Sequence, residues 1–252
     1  MIGRILGVPA KDNAKFHRWT QAFLSASNFK NPFFLIPTIM SLLGYLKKLI
    51  KARRAQPTDD LITALVLARD EGDHLSEDEI LAMIFLLLVA GHETTVNLIG
   101  SGTFALLEHP NQLARLQAEP VLIKTAIEEL LRFTCPVEMA TERYAREDIT
   151  LAGVTIPHGE LVMAVLGSAN RDAKYFDNPD ELDIARERNR HLAFGQGAHY
   201  CLGAPLSRLE GQIAIQTLLQ RMPNLSLSIP SEQIRWRGGF VLRGIEALPV
   251  SF

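Results

Sequence analysis

The spacing of apolar residues divides the chain into a helical first half and a mixed second half. In the first half, apolar side chains recur at helical spacing in three separate stretches. We therefore predict helices over residues 12–26, 32–54 and 60–68, with a kink or restart of the second helix at Pro37.

A fourth predicted helix has the clearest start signal in the chain. Ser76 and Glu79 are spaced as in a capping box, and an uninterrupted apolar run follows over residues 80–90. The helical pattern continues to about Leu107, shortly before Pro110. Because the run is apolar on every side, we expect this helix to be buried.

Strands are predicted only after a further helix, which runs from Pro120 to Phe133. Residues 149–156 and 161–165 are rich in the β-branched and apolar side chains that strands favour. Pro, His and Gly at residues 157–159 are typical of a turn between them.

The last third of the chain mixes loops with regular elements. A loop-rich stretch over residues 168–193 leads to a predicted helix over 204–222 and a strand-like tail over 248–252. We predict a mainly α fold with small β-sheets in a single domain, mostly helical over 1–134 and mixed over 135–252.

Composition narrows the class of protein. Apolar residues make up 47% of the 252 residues and the net charge is −2, which fits a globular chain and gives no indication of nucleic-acid binding. The apolar run over 80–90 is too short to cross a bilayer, and residues 1–9 do not resemble a signal peptide. Two cysteines are too few for a disulfide framework. From these three observations together we expect a cytoplasmic protein with no membrane span.

Cys201 lies in a glycine-rich segment just before the predicted helix over 204–222. A cysteine at a helix N-terminus is favoured as a thiolate, because the helix dipole and free backbone N–H groups stabilise negative charge. A thiolate is a strong ligand for haem iron. Taken alone, Cys201 would more simply be a buried structural cysteine. The segment lacks the third glycine of a dinucleotide loop and the Gly-Lys-Ser/Thr of a P-loop.

A second segment with unusual composition lies in the middle of the long apolar helix. Gly91 and Thr94 are weak helix formers, and a Thr94 hydroxyl bonded to the Ala90 carbonyl would loosen the turn. Glu93 beside Thr94 could then pass protons to a bound reactant. The alternative is a simple helix kink with a surface glutamate. A zincin motif is excluded because Val96 stands where the second histidine would be.

Glu129 and Arg132 stand three residues apart on one helix face, which favours an ion pair. Such a pair is commonly exposed and weak, although the apolar neighbours Leu130 and Leu131 make burial plausible here.

Together these motifs resemble those of the cytochromes P450. The pattern Phe-Gly-x-Gly-x-His-x-Cys-x-Gly over residues 194–203 is similar to the haem-ligand signature of that family at every defined position. Residues 90–95 resemble its oxygen-activation motif, and 129–132 its buried Glu-x-x-Arg pair. The likeness covers essentially the whole chain and is closest to the soluble bacterial branch. It implies a P450 fold truncated at the N-terminus, because the chain starts inside a longer pattern.

The resemblance assigns roles to individual residues. Cys201 would ligate the iron of haem b, Glu93 and Thr94 would relay protons, and Arg143 and His199 would pair with the haem propionates. Glu129 and Arg132 would form a structural network with a third charged residue, for which Arg186 is the candidate. The other residues expected against the haem are Phe194, Gly195, Gly197, Gly203, Ala90 and Gly91.

The implied activity is a haem-thiolate monooxygenase that uses O2 and takes electrons from a ferredoxin and its reductase. Apolar residues at the expected substrate-facing positions favour a lipophilic small molecule; these are Leu87, Ala90, 137–139 and 239–241. The alternative is an inactive, truncated P450 remnant that binds haem weakly or not at all. A zinc hydrolase is a distant third, since no pair of the seven histidines has metal-ligand spacing.

Overall fold

The computed structural model describes residues 2–12, 14–16, 18–19, 36–68, 75–237, 239 and 241–252. Its α-helices, in chain order, are α1 (Ile2–Ile5), α2 (Ile36–Ala55), α3 (Leu61–Leu67), α4 (Glu77–Glu108), α5 (Pro110–Ala118), α6 (Ile123–Thr134), α7 (Leu166–Ala169) and α8 (Ala204–Arg221). Its strands are β1 (Arg143–Tyr144), β2 (Ile149–Leu151), β3 (Val154–Ile156), β4 (Leu161–Val162), β5 (Ser226–Leu227) and β6 (Val250–Ser251).

The predicted early helices are confirmed where the structure describes them. The α2 helix has Pro37 in its first turn, where proline is tolerated. The Asp60 carboxylate caps α3 by accepting from the Thr63 backbone N–H at 2.8 Å. Much of the helix expected over residues 12–26, and the start of the one expected over 32–54, fall on residues 20–35, outside the described part.

The predicted capping box is present at the start of α4. The Ser76 backbone N–H donates to Glu79 Oε2 at 2.8 Å, and the Glu79 backbone N–H donates to Ser76 Oγ at 3.2 Å. From there α4 continues to Glu108 without interruption, so the loosened turn expected near Thr94 does not break the helix. A glycine costs only about 1 kcal/mol in a helix, which cooperative pairing over a long helix offsets.

The chain forms two units, residues 1–93 and 94–252, and each has its own core. In the first unit, α2 and α3 pack with the early turns of α4 through buried side chains such as Leu46, Ile62 and Ile84. In the second unit, α6 and α8 pack with the later turns of α4 through side chains such as Leu98, Ile127 and Ile215.

The expected burial of α4 on every side is wrong. Its buried side chains include Ile80, Ile84 and Leu88, which the helical repeat places on one face. Leu86 is 59% exposed and Val96 is 42% exposed, because the packed neighbours within each unit cover only part of the helix surface. By length and composition alone α4 could also cross a membrane, a property that it shares with core helices of globular proteins.

The small sheets differ from the prediction in their pairing. Residues 149–156 form a hairpin instead of one strand, with β2 antiparallel to β3. Ala152 and Gly153 connect the two strands at φ of 49° and 81°, the backbone of a tight two-residue hairpin turn. The β4 strand pairs with β1, and β5 pairs with β6 near the C-terminus.

The α5 helix was not predicted. It begins at Pro110, in the first-turn position that proline favours in helices, so the proline read as the end of α4 is also the start of the next helix. The helix after it, α6, and the long α8 lie where the sequence predicted them.

Candidate functional site

Cys201 is an exposed, free thiol in the short turn that leads into α8. Its backbone N–H donates to Phe194 O at 3.0 Å, and its carbonyl accepts from Ala204 N at 3.2 Å, so the chain between Phe194 and Cys201 forms a closed loop. We call residues 194–203 the cysteine loop. The thiol lies at the N-terminus of an 18-residue helix, whose dipole favours a negative charge there.

Two of the three glycines in the cysteine loop are required by its backbone conformation. Gly195 and Gly197 have φ of 68° and 80°, a region that residues with a Cβ disfavour. A Cβ at Gly203 would lie 3.8 Å from Cys201 Sγ, and a Cβ at Gly197 would meet no other group within 4 Å. Gly203 therefore lies next to the sulfur without a side chain, and the space beside the Gly197 backbone is open, which fits the close approach of a flat macrocycle.

The donor set also fits haem. In the part of the chain that the structure describes, no three His, Cys, Asp or Glu side chains lie close enough together to hold a metal ion. A structural zinc site has no ligands there, whereas an iron already held by four ring nitrogens needs only one protein thiolate.

The two predicted propionate partners lie in different elements. His199 ends a 3₁₀ turn over Gly197–His199, two residues before Cys201. Arg143 lies exposed in β1, where its Nη1 donates to Thr141 Oγ1 at 2.6 Å and to Glu142 O at 2.9 Å. The guanidinium of Arg143 is thus held by its own segment, and its pairing with a propionate stays a prediction.

The predicted oxygen-activation residues lie in the middle of α4. Ala90, Gly91 and Glu93 belong to the first unit, and Thr94 is the first residue of the second. Thr95 Oγ1 lies 3.5 Å from Ser207 Oγ of α8. Within the second unit, this contact links the turn that contains Thr94 to the helix that follows Cys201.

Glu129 and Arg132 form a fully buried ion pair. Arg132 Nη2 donates to Glu129 Oε1 and its Nε to Oε2, both at 2.8 Å, and the exposed fraction of each side chain is 0%. Arg186, the expected third partner, donates from Nε to Glu129 Oε2 at 3.1 Å. Arg132 also donates to backbone carbonyls, including Asn170 O at 2.9 Å. The network therefore ties α6 to the loop-rich stretch that follows.

A second charged network was missed from the sequence. Glu128, next to Glu129 on α6, contacts both Arg208 of α8 and His191. No local pattern in the sequence indicates that Glu128 has a partner 80 residues away along the chain.

Cys135 is unsuited to act as a thiolate ligand. Only 3% of the residue is exposed, and burial raises the pKa of its thiol to about 11 despite a 3.3 Å hydrogen bond from Asn170 Nδ2. Of the two cysteines, Cys201 is therefore the one with ligand character.

Comparison with known proteins gives a consistent result. The sequence profile of the cytochrome P450 family matches residues 38–235. The polyketide biosynthesis cytochrome P450 PksS of Bacillus subtilis is 47% identical over 100% of this chain, and the vitamin D(3) 25-hydroxylase of Pseudonocardia autotrophica is 45% identical. The chain covers 62% of the length of both relatives.

Solved structures show the same likeness. The structure of PksS superposes with a TM-score of 0.95 at 47% identity, and covers 99% of this chain. P450BioI, crystallised in complex with an acyl carrier protein loaded with hexadec-9Z-enoic acid, superposes with a TM-score of 0.89 at 45% identity over 100% of this chain. This chain covers 64% of the length of each of these two structures. With the profile spanning most of the chain and the cysteine loop in place, this chain belongs to the cytochrome P450 family.

Proposed function

We propose that this chain carries the haem-binding and oxygen-activating part of a haem-thiolate monooxygenase. The reaction consumes O2, two electrons and two protons, places one oxygen atom in a C–H bond of an apolar substrate and releases the other as water. The observation that carries the proposal is the free, exposed Cys201 thiol at the start of α8, within a loop that contains Gly195, Gly197 and Gly203.

Cys201 is proposed to ligate the iron of haem b as a thiolate. The N-terminus of α8 stabilises this charge, and the glycines let the ring approach the backbone. When bound, the haem supplies the redox chemistry that activates oxygen. Arg143 and His199 are proposed to pair with its propionates through a guanidinium and an imidazole.

Proton supply is assigned to the middle of α4. The Glu93 carboxyl is proposed to hold a proton, and the Thr94 hydroxyl to accept it and pass it on, as general acids act in other enzymes. Ala90 and Gly91 present little side chain at this point of the helix, which leaves room beside it.

The substrate is proposed by analogy with the relatives, and the electron donor from the resemblance of the motifs to those of the soluble bacterial P450s. Their names include a vitamin D(3) hydroxylase, a mycinamicin IV hydroxylase/epoxidase of Micromonospora griseorubida and a polyketide biosynthesis enzyme. We propose a lipophilic small molecule as substrate, and a ferredoxin with its reductase as the source of electrons in the cytoplasm. Among the substrate-facing positions expected from the sequence, Phe240 lies outside the described residues.

The direct test is reconstitution of the chain with haem, followed by a CO-difference spectrum. We expect the red-shifted band of a thiolate-ligated iron, and we expect Cys201→Ser to abolish it. Cys135→Ser is the matched control and should keep the band, because that thiol is buried elsewhere. A folded wild-type chain without the band, or a Cys201→Ser variant that retains it, would contradict the proposal.

A second candidate function is haem binding without turnover. Ala90, one of the expected substrate-facing positions, is exposed on α4, which favours incomplete enclosure of a substrate. Turnover of lipophilic compounds with NADPH, a surrogate ferredoxin and its reductase separates the two functions. Sustained product formation by this chain alone eliminates the second candidate, whereas a normal CO spectrum with no product supports it.

A further inference from the structure

The Glu128–Arg208 pair joins α6 to α8 directly behind the cysteine loop. Arg208 Nε donates to Glu128 Oε1 at 2.6 Å and its Nη2 donates to Oε2 at 2.9 Å, a two-pronged contact that fixes the plane of the guanidinium. Burial raises the pKa of the Glu128 carboxyl, but the hydrogen bonds from His191 and Arg208 outweigh it and hold the pKa at about 2. Glu128 is therefore ionised at neutral pH.

The same guanidinium contacts two residues of the cysteine loop. Its Cζ lies 4.5 Å from the centroid of the Phe194 ring, and its Nη1 donates to the Tyr200 hydroxyl at 3.2 Å. Phe194 opens the loop and Tyr200 immediately precedes Cys201. Arg208 thus contacts both the first residue of the loop and the residue before Cys201.

His191 holds the same carboxylate from the other side. Its Nδ1 accepts from the Ala193 backbone N–H at 3.2 Å, so in the neutral ring the proton lies on Nε2. Nε2 lies 3.1 Å from Glu128 Oε2 and donates to it. The His191 ring also lies 5.9 Å from the Phe194 ring. One carboxylate therefore orients two side chains that pack against Phe194.

The cysteine loop needs such support because three of its residues, Gly195, Gly197 and Gly203, are glycines with little conformational preference of their own. We propose that Glu128, Arg208 and His191 are positioning residues that hold the cysteine loop in a single conformation. They thereby fix the direction in which the Cys201 thiolate points toward the haem iron. This inference deepens the proposed function, since it assumes that Cys201 is a haem ligand. It assigns no contact of the three residues with haem or substrate.

The choice of arginine follows from this geometry. A planar guanidinium can donate hydrogen bonds from two nitrogens to one carboxylate, stack on Phe194 and still donate to Tyr200. A lysine ammonium keeps the charge but cannot make the three contacts together. Arg208→Lys is therefore a selective test of positioning that leaves the net charge unchanged.

The first measurement uses the chain without haem. Hydrogen exchange of the Cys201 amide, which donates to Phe194 O, reports loop opening. We expect exchange to be about tenfold faster in Arg208→Lys and in Glu128→Gln, because each removes a charge-assisted hydrogen bond that restrains the loop. The matched control is Arg171→Lys, since Arg171 also stacks on a ring, Phe133 at 4.4 Å, and pairs with Asp180 at 2.7 Å, outside the loop.

The second measurement uses the haem-reconstituted chain. We expect Arg208→Lys and Glu128→Gln to lower the share of the red-shifted thiolate band in the CO spectrum, and Arg171→Lys to leave it unchanged. If Arg208→Lys fails to fold, Tyr200→Phe replaces it, because that change removes only the hydroxyl contact with Arg208.

The two measurements separate this inference from the proposed function. Loss of haem binding by the wild type overturns the proposed function and, with it, the thiolate role assigned to the loop, whereas the exchange data still report whether the loop is restrained. Exchange rates and thiolate bands equal to wild type in all loop variants would show that the Glu128 network does not position the cysteine loop. Equal effects in Arg171→Lys would show a general loss of stability instead and also overturn the inference.

Discussion

Glu129 accepts hydrogen bonds from two arginine side chains while fully enclosed by protein. Two charges removed from water are tolerated only when each is paired and hydrogen-bonded, because desolvation is otherwise very costly. Here one carboxylate faces both Arg132 and Arg186, and the remaining N–H groups of Arg132 donate to backbone carbonyls. These contacts join α6 to the loop-rich stretch over residues 168–193.

Glu129→Gln should therefore be severely destabilising. Removing one partner of a buried pair leaves an uncompensated charge, and we expect the free energy of unfolding to fall by about 3–5 kcal/mol in urea titrations. The matched control is Arg235→Gln, which breaks the exposed pair with Glu246 at 3.8 Å and should cost less than about 1 kcal/mol. Similar losses in both variants would contradict the structural role of Glu129.

The two cysteines should differ sharply in reactivity. We expect the native chain to show one fast-reacting thiol with an aromatic disulfide reagent, because Cys201 is exposed whereas Cys135 is buried with its thiol pKa raised to about 11. In urea, both thiols should react. Cys201→Ser should remove the fast phase. A fast phase that persists in this variant would show that Cys201 is not the fast-reacting thiol.

Helix crossings set the limits on side-chain size in the second unit. Gly211 of α8 lies where α4 and α6 approach, and a Cβ there would come within 3.1 Å of Leu98 Cδ2 and 3.3 Å of Ile127 Cδ1. Gly44 of α2 is also a helix-interior glycine, but a Cβ there would meet nothing within 4 Å. Sequence alone does not distinguish the two positions, because both are glycines within helical patterns.

We expect alanine to have opposite effects at these two glycines. Gly44→Ala should stabilise the chain by about 1 kcal/mol through helix propensity. Gly211→Ala gains the same propensity but overpacks the crossing, which typically costs about 1–3 kcal/mol, so the net effect should be a loss. Denaturation midpoints of both variants test this, and stabilisation by Gly211→Ala would mean that the crossing relaxes freely.

Across the whole chain, the proposed haem site links ligand binding to stability. A ligand that binds only the folded state stabilises it, and free haem at a hundredfold excess over its Kd should add about 2.7 kcal/mol. We expect haem to raise the Tm of the wild type and to raise that of Cys201→Ser much less, measured by thermal unfolding with and without haem. An equal rise in both proteins would indicate non-specific binding away from Cys201.

The elements with strong local signals were predictable from the sequence. A capping box at Ser76, an apolar run and a proline boundary are enough to locate α4, since each is encoded within a few neighbouring residues. The hairpin at Ala152 and Gly153 was misread as a continuous strand because its turn has only one glycine and no Asn or Asp. The α5 helix was missed because Pro110 was read only as a stop signal.

The sequence also predicted the Glu129/Arg132 ion pair, which the structure contains, because an i, i+3 pair depends only on residues close along the chain. The role of Cys201 as a haem ligand stays a prediction. The tertiary structure decided which of the two cysteines is exposed, which charged residues join Glu129, and that α4 keeps an exposed apolar side. It alone brought Glu128, His191 and Arg208 together around the cysteine loop. Such contacts depend on how distant helices pack, and packing is a property of the folded chain that no local pattern contains.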